Sequence, residues 1–328
     1  MNDDDVEVVT VEGLDNLPTE EQVRADVMDR RTFIGGSDAP VILGLTGWKS
    51  RYDLYLEKTG QVEPADLSEV ERVQWGIVLE DVVATMYTRR TGKKTRRVTN
   101  RIIDKKAPFP RAAQIDRRIV GGGILEIKTT DASQAGEWGP EGTAEIPAHY
   151  YTQVQHQLAV TGESFAEVAV LIGGNRMRLY LVPADPEFIA DMTVAEGLFW
   201  RACETRVPPP PVTLDDAKKM WGEAPEYPVM GSDDDLMVAR ELLAVRAELD
   251  ALTDREEALE LKLKESIRDI GTTLTVNGAV IATWKNQKRT IPDAEGLKRD
   301  HPELAETYRK EITSRVFRLS EKGIKSLA

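Results

Sequence analysis

"GGGILEIKTTD", residues 121–131, starts an apolar run after three glycines and interrupts it with two opposite charges, Glu126 and Lys128. Side chains alternate along a strand, so a strand here puts both charges on one face. Same-face ion pairs are common and contribute little to stability, so the pair alone decides nothing. Its surroundings give it a use. The preceding segment "RAAQIDRRIV" (111–120) also reads as strand-like and carries Asp116. Two neighbouring strands joined by a short glycine-rich turn bring Asp116 and Glu126 to one end of a sheet, with Lys128 beside them. Two carboxylates at one place repel, and a divalent cation held by both relieves the conflict. Such a cation polarises a phosphate oxygen while a lysine offsets developing negative charge, the combination that phosphodiester hydrolysis needs.

Helical patterns flank the two strands. "SEVERVQWGIVLEDVVATMYTRRTG" (68–92) offers Ser68 and Glu71 as a capping box, then apolar residues at helical spacing up to Gly92. It carries Glu80, on local grounds either a solvent-facing residue or a third carboxylate for the same ion. "PAHYYTQVQHQLAVTG" (147–162) reads as a helix bearing Gln153, Gln155 and Gln157. These are either a plain polar face or, for Gln153, a group that bonds a metal-bound water or orients Lys128. "SRYDLYLEKTG" (50–60) is a further helix with a glycine stop. "FAEVAVLIGG" (165–174) and "RMRLYLVP" (176–183) suggest paired strands, and a helix follows at about 186–205. Helix, strands, helix, strands, helix describes an α/β sheet flanked by helices.

The chain has 328 residues, 41% hydrophobic and 30% charged, ordinary values for a globular protein able to bury a full core. No apolar run reaches the roughly 18 residues of a membrane span. The opening "MNDDDVEVVT" lacks the basic-then-apolar pattern of a secretory leader. A lone Cys203 forms no internal disulfide, which fits the cytoplasm. With three histidines besides that cysteine, a structural zinc site is not expected, and any metal is expected on oxygen ligands. The net charge of −13 argues against a polyanionic partner, but its distribution does not. Residues 88–118 hold twelve Lys or Arg against only Asp104 and Asp116. Fields act over about 8–10 Å at ordinary salt, so a basic stripe on an acidic protein still attracts nucleic acid.

Five segments are expected: an acidic tail (1–20), a first compact domain (21–211) ending at a tetraproline, a linker (212–233), a helical segment (234–270) and a small α/β module (271–328). Leu242, Val245, Leu249, Leu252, Leu259 and Leu263 fall on a register of alternating three- and four-residue steps, with one full seven-residue interval between Leu252 and Leu259, a coiled-coil seam. One continuous helix there would run about 54 Å, whereas "TDRE" (253–256) could cap a second helix and make a hairpin. Asn277-Gly278 within "LTVNGAVIATW" is a β-hairpin signal. "RVFRLS" (315–320) is strand-like.

Five stretches together resemble the YqaJ-type viral recombinases. In order they are "IGGSDAPVILGLTGWKSRYDLYLEKTG" (34–60), "QWGIVLEDVVATMYTRRTG" (74–92), "AAQIDRRIVGGGILEIKTTDA" (112–132), "YYTQVQHQLAVTG" (150–162) and "VAVLIGGNRMRLYLV" (168–182). These recombinases are phage alkaline exonucleases related to lambda exonuclease within the PD-(D/E)XK nuclease superfamily. "HPELAETYRKEITSRVFRL" (301–319) also resembles a tail of some relatives. The resemblance implies a restriction-endonuclease-like core, a mixed sheet flanked by helices, followed here by the helical segment and the hairpin module.

It further implies Glu80, Asp116, Glu126 and the main-chain carbonyl of Ile127 as ligands of Mg²⁺, with Mn²⁺ as a substitute. Lys128 would be the catalytic lysine and Gln153 the glutamine completing the site. Arg30 or Arg31, with Ser37, would grip a 5′ phosphate; the alternative role for Ser37 is a helix N-cap. The implied activity is removal of nucleotides from double-stranded DNA ends, 5′ to 3′, leaving 3′ single strands for an annealing protein. A trimeric ring is the implied assembly. Lambda exonuclease has Ser-Pro where this chain has Gln114-Ile115 before Asp116, which leaves the phosphate contacts there open. A PD-(D/E)XK endonuclease and a non-catalytic DNA-binding scaffold are the alternatives.

Overall fold

The structure is a computed structural model describing residues 30–66, 70–290 and 293–309, together with 318, 320 and 324. The expected acidic tail, the cap at Ser68 and most of the strand-like 315–320 lie outside these residues. Contacts divide the chain into two units, Met1–Met220 and Trp221–Ala328. No helix among the described residues is long and apolar enough to cross a membrane.

The first unit holds strands β1 (Thr95–Arg97), β2 (Ile102–Ile103), β3 (Ala112–Ala113), β4 (Arg117–Ile119), β5 (Ile124–Thr130), β6 (Phe165–Ile172) and β7 (Arg176–Pro183). Five of them form one sheet in the order β1-β4-β5-β6-β7, while β2 pairs only with β3. The sheet is mixed: β5 runs parallel to β6, and the other neighbours are antiparallel. Its helices are α1 (Ala39–Ile42), α2 (Arg51–Lys58), α3 (Glu71–Thr91), α4 (Ala148–Thr161), α5 (Pro186–Thr205) and α6 (Leu214–Met220).

The opening stretch forms the central strand β5. One face of it packs Ile124, with Val168 and Val170 of β6, against Val154 and Leu158 of α4. The other packs Leu125 and Ile127, with Ala169, against Val83, Ala84 and Tyr87 of α3. Each fully buried Val or Leu contributes about 1.5–3 kcal/mol. Burial on both faces is why the segment reads as an almost unbroken apolar run. The glycines before it make the turn from β4, with φ of 104°, 123° and 86° at Gly121, Gly122 and Gly123. Side-chain-bearing residues rarely adopt those values.

The expected strand 111–120 is two strands in different sheets. β3 leaves to pair with β2, and β4 joins β5 with Arg117 opposite Leu125. Asp116 sits in the break, where its carboxylate accepts the Ile127 N–H at 2.7 Å. The side chain thereby satisfies a strand donor that the short β4 leaves free. Helix α3 begins after Val70, which provides no side-chain cap. Nor is Ser37 an N-cap: that position before α1 is Asp38, whose carboxylate instead accepts from the Gly35 N–H.

A third core cluster joins Ile34, Val41, Leu54, Tyr55, Phe109 and Phe199 across α1, α2 and α5. Beside it Arg111 is fully engaged, forked onto Asp104 and reaching Glu196, which also meets His156 Nδ1 at 2.7 Å. Helix α6 is tied to α2 through Ser50 Oγ–Asp216 and Lys219–Asp53.

In the second unit, α7 (Asp233–Ile267) is one unbroken helix started by a Ser232–Asp235 capping box. Thr253 donates back to the Leu249 carbonyl inside this helix, so "TDRE" caps nothing. Val245, Leu249, Leu252, Leu259 and Leu263 of the seam are exposed on it. Strands β8 (Thr273–Val276) and β9 (Ala279–Thr283) form the expected hairpin, with Asn277 and Gly278 at positive φ. Helices α8 (Ala294–Asp300) and α9 (Pro302–Thr307) follow.

Candidate active site

Glu126 and Lys128 point from β5 to the same side and pair directly, Nζ to Oε1 at 2.7 Å. Glu126 is 2% exposed, an expensive place for a carboxylate unless every oxygen has partners. Helix α4 provides them. Gln153 Nε2 donates to Oε1 and Gln157 Nε2 to Oε2, each at 2.7 Å. The Gln153 carbonyl oxygen in turn accepts from Lys128 Nζ at 3.2 Å. One glutamine therefore holds both charges of the pair, and four-residue spacing on α4 sets the second glutamine beside it.

Asp116 faces this pair. Burial, with Glu126 and then Glu80 nearby, raises its pKa well above the usual carboxylate range, against Lys128 and the Ile127 N–H. Burial works against the Lys128 ammonium too, but Glu126 and Asp116 outweigh it and hold its pKa above that of an ordinary lysine. The ring of Tyr150 lies 4.9 Å from Nζ. Next to it, burial lowers the pKa of His149, with Lys128 adding to the effect and Glu137 opposing it.

Glu80 comes near but is otherwise engaged. The buried Arg117 bonds Glu80 and Asp81 with its two terminal nitrogens and also donates to the Asp116 carbonyl at 2.8 Å. Among the described residues no three His, Cys, Asp or Glu groups already converge as a metal would require. The donor chemistry nevertheless fits a hard divalent cation. Asp116 and Glu126 are oxygen donors whose mutual repulsion a cation would relieve.

Of the remaining expected residues, Arg30 and Arg31 lie in a 3-10 turn (Arg30–Thr32), and Ser37 lies on the loop between that turn and α1. Gly36 lies against α4: a Cβ there would stand 3.3 Å from Gln153 Cγ. Ser37, next along, is exposed. Arg31 bonds Glu63 at 3.0 Å, and its Nε is buried without a partner. Lys58 ties the loop together, donating to the carbonyls of Arg30 and Phe33 and to Asp38, each at 2.6 Å. Of the basic stripe, Arg111 and Arg117 are consumed internally, while Arg89, Lys94, Arg96, Lys105 and Lys106 are exposed.

Sequence reasoning missed Arg117 and gave Gln157 no role beyond a polar face. The Gln157 signal was its four-residue offset from Gln153; Arg117 left none, being one basic residue among twelve.

Residues 27–164 match the YqaJ-like viral recombinase domain. Across 308 residues the chain is 35% identical to the uncharacterized protein YqaJ of Bacillus subtilis (strain 168), covering 90% of this chain and 93% of that one. The chain belongs to the YqaJ-like viral recombinase family. Solved structures similar to this family member include an alkaline exonuclease of Laribacter hongkongensis, 17% identical, with 57% of this chain and 93% of that one covered and a TM-score of 0.44. A phage-related exonuclease of Haemophilus somnus 129PT is 14% identical, with 53% and 96% covered and a TM-score of 0.37. The mixed sheet between α3 and α4 forms the core of this YqaJ-like chain.

Proposed function

We propose that the protein is a metal-dependent deoxyribonuclease that degrades linear double-stranded DNA from a free end. The observation that carries this reading is Gln153 bonded to both Glu126 and Lys128, with Asp116 facing the pair from the start of β4. Asp116, Glu126 and the Ile127 carbonyl would hold Mg²⁺ or Mn²⁺, and Glu80 would join them by giving up Arg117. When bound, the ion supplies Lewis-acid stabilisation of the scissile phosphate.

The other roles belong to the chain. Lys128, held between Glu126 and Gln153, would stand beside the phosphate and offset its developing negative charge. Gln153 and Gln157 hold Glu126 in place as charge builds. Exposed Arg96, Lys94 and their neighbours attract the duplex backbone. Arg31 or Arg30, with Ser37, receives the terminal phosphate. Membership of a viral recombinase family supports a 5′ to 3′ direction, 3′ single-stranded products passed to an annealing protein, and a ring of three subunits.

The test is digestion of linear against covalently closed circular duplex with Mg²⁺. Linear DNA is expected to disappear and circular DNA to survive. Cutting of both would make the protein an endonuclease, and cutting of neither would end the nuclease reading.

A further inference from the structure

Trp48 belongs to the sequence stretch that carries the family resemblance, yet nothing above uses it. Its side chain is 69% exposed, although tryptophan is on average a highly buried residue. It is not loosely held. Thr46 Oγ1 donates to the Lys49 carbonyl at 2.9 Å, closing a turn around it. Lys49 itself bonds Glu57 at 2.7 Å, and Ser50 caps α2 and meets Asp216 at 2.5 Å. An exposed indole on a pinned backbone is a fixed platform rather than a mobile tail.

That platform is connected to the candidate active site. Trp48 and His149 stand perpendicular to each other, centroids 5.4 Å apart and planes at 87°. His149 lies 4.0 Å from Tyr150, and the Lys128 ammonium lies 4.9 Å from the Tyr150 ring. A row of rings thus runs outward from Lys128 and ends in an exposed indole. The His149 contact is perpendicular rather than stacked, so it braces the indole and leaves at least one of its faces uncovered by the imidazole.

We propose that Trp48 is a stacking platform for an unpaired nucleobase of the DNA strand whose backbone lies at Lys128. A nuclease working from an end must separate that strand from its complement before the phosphate reaches buried carboxylates. Every base has a π-face, so stacking favours the unpaired end without reading sequence. This inference rests on the nuclease reading and adds to it the group that receives the base.

The test uses short duplexes with 2-aminopurine as the terminal unit at either the 5′ or the 3′ end. They are bound to full-length protein carrying Lys128→Ala so that they stay intact. Binding is expected to quench one of the two labels, and adding Trp48→Ala is expected to abolish that quench. In the cutting-competent protein, Trp48→Ala is expected to raise KM by about 5- to 100-fold, the effect of losing one stacked base. Trp48→Phe is expected to restore most of both signals, whereas Trp48→Leu, apolar but without a π-face, does not. Wild-type KM and undiminished quench in Trp48→Ala would overturn the platform while leaving the nuclease reading intact. A wild-type protein that neither binds nor cuts DNA would remove the nuclease reading first.

Discussion

Glu126 makes three side-chain contacts and each has a different consequence. Lys128 neutralises it, while Gln153 and Gln157 fix both oxygens. Replacing Lys128 with Ala removes the cation beside the phosphate, and Glu126→Gln removes the anion that would hold the metal. Each is expected to lower cutting of linear DNA by about 10²- to 10³-fold or more, while filter binding to the same DNA persists. Loss of binding together with activity would mean that these residues support the fold instead. Cys203 gives a residue-scale prediction independent of DNA. Burial pushes its thiol up to about 11, against Lys58 and Arg206. The folded state therefore favours the protonated thiol. That contribution to stability is whole below the unfolded thiol value of about 8.5 and is lost as pH rises through the folded value. Native protein is expected to resist iodoacetamide at pH 8 and urea-unfolded protein to react. Equal rates would show the thiol to be accessible.

At the scale of elements, the β4–β5 turn decides whether Asp116 and Glu126 meet. Gly123 has φ of 86°, and a Cβ there would come 2.6 Å from the Phe165 ring. Gly122 has φ of 123° with nothing within 4 Å. Gly122→Ala thus reports backbone strain alone, about 1–3 kcal/mol, and Gly123→Ala adds the displacement of Phe165. Urea unfolding is expected to show both variants destabilised, Gly123→Ala by more. Equal losses would mean that the ring gives way freely. Helix α4 is equally decisive. Gln155 lies between Gln153 and Gln157 in sequence but bonds the Pro183 carbonyl and the Asp185 N–H instead. Helical spacing assigns two of the three glutamines to the site and the third to the end of β7.

For the whole molecule, the net charge of −13 and the basic stripe act at different ranges. DNA affinity is expected to fall with salt, each phosphate neutralised steepening the log–log slope by about 0.9. Fluorescence titrations of a fixed duplex between low and moderate salt measure that slope. Arg96→Ala is expected to make it shallower and Arg117→Ala is not, because Arg117 is buried on Glu80 and Asp81. A slope near zero would point to a protein partner for this surface.

Short-range patterns in the sequence determined much of this protein. Alternation put Glu126 and Lys128 on one face, the glycines made a turn before them, Asn277-Gly278 made a hairpin, and apolar spacing marked α3. These are properties of neighbouring residues, so a linear reading reaches them. Position-matched resemblance singled out Glu80 and Gln153. Only the tertiary structure decided which polar groups close on one another. It split residues 111–120 between two sheets, turned Arg117 inward onto Glu80, and set Gln157 on the second oxygen of Glu126. A buried charge must find partners wherever the packed chain offers them. Sequence spacing carries no record of partners dozens of residues away.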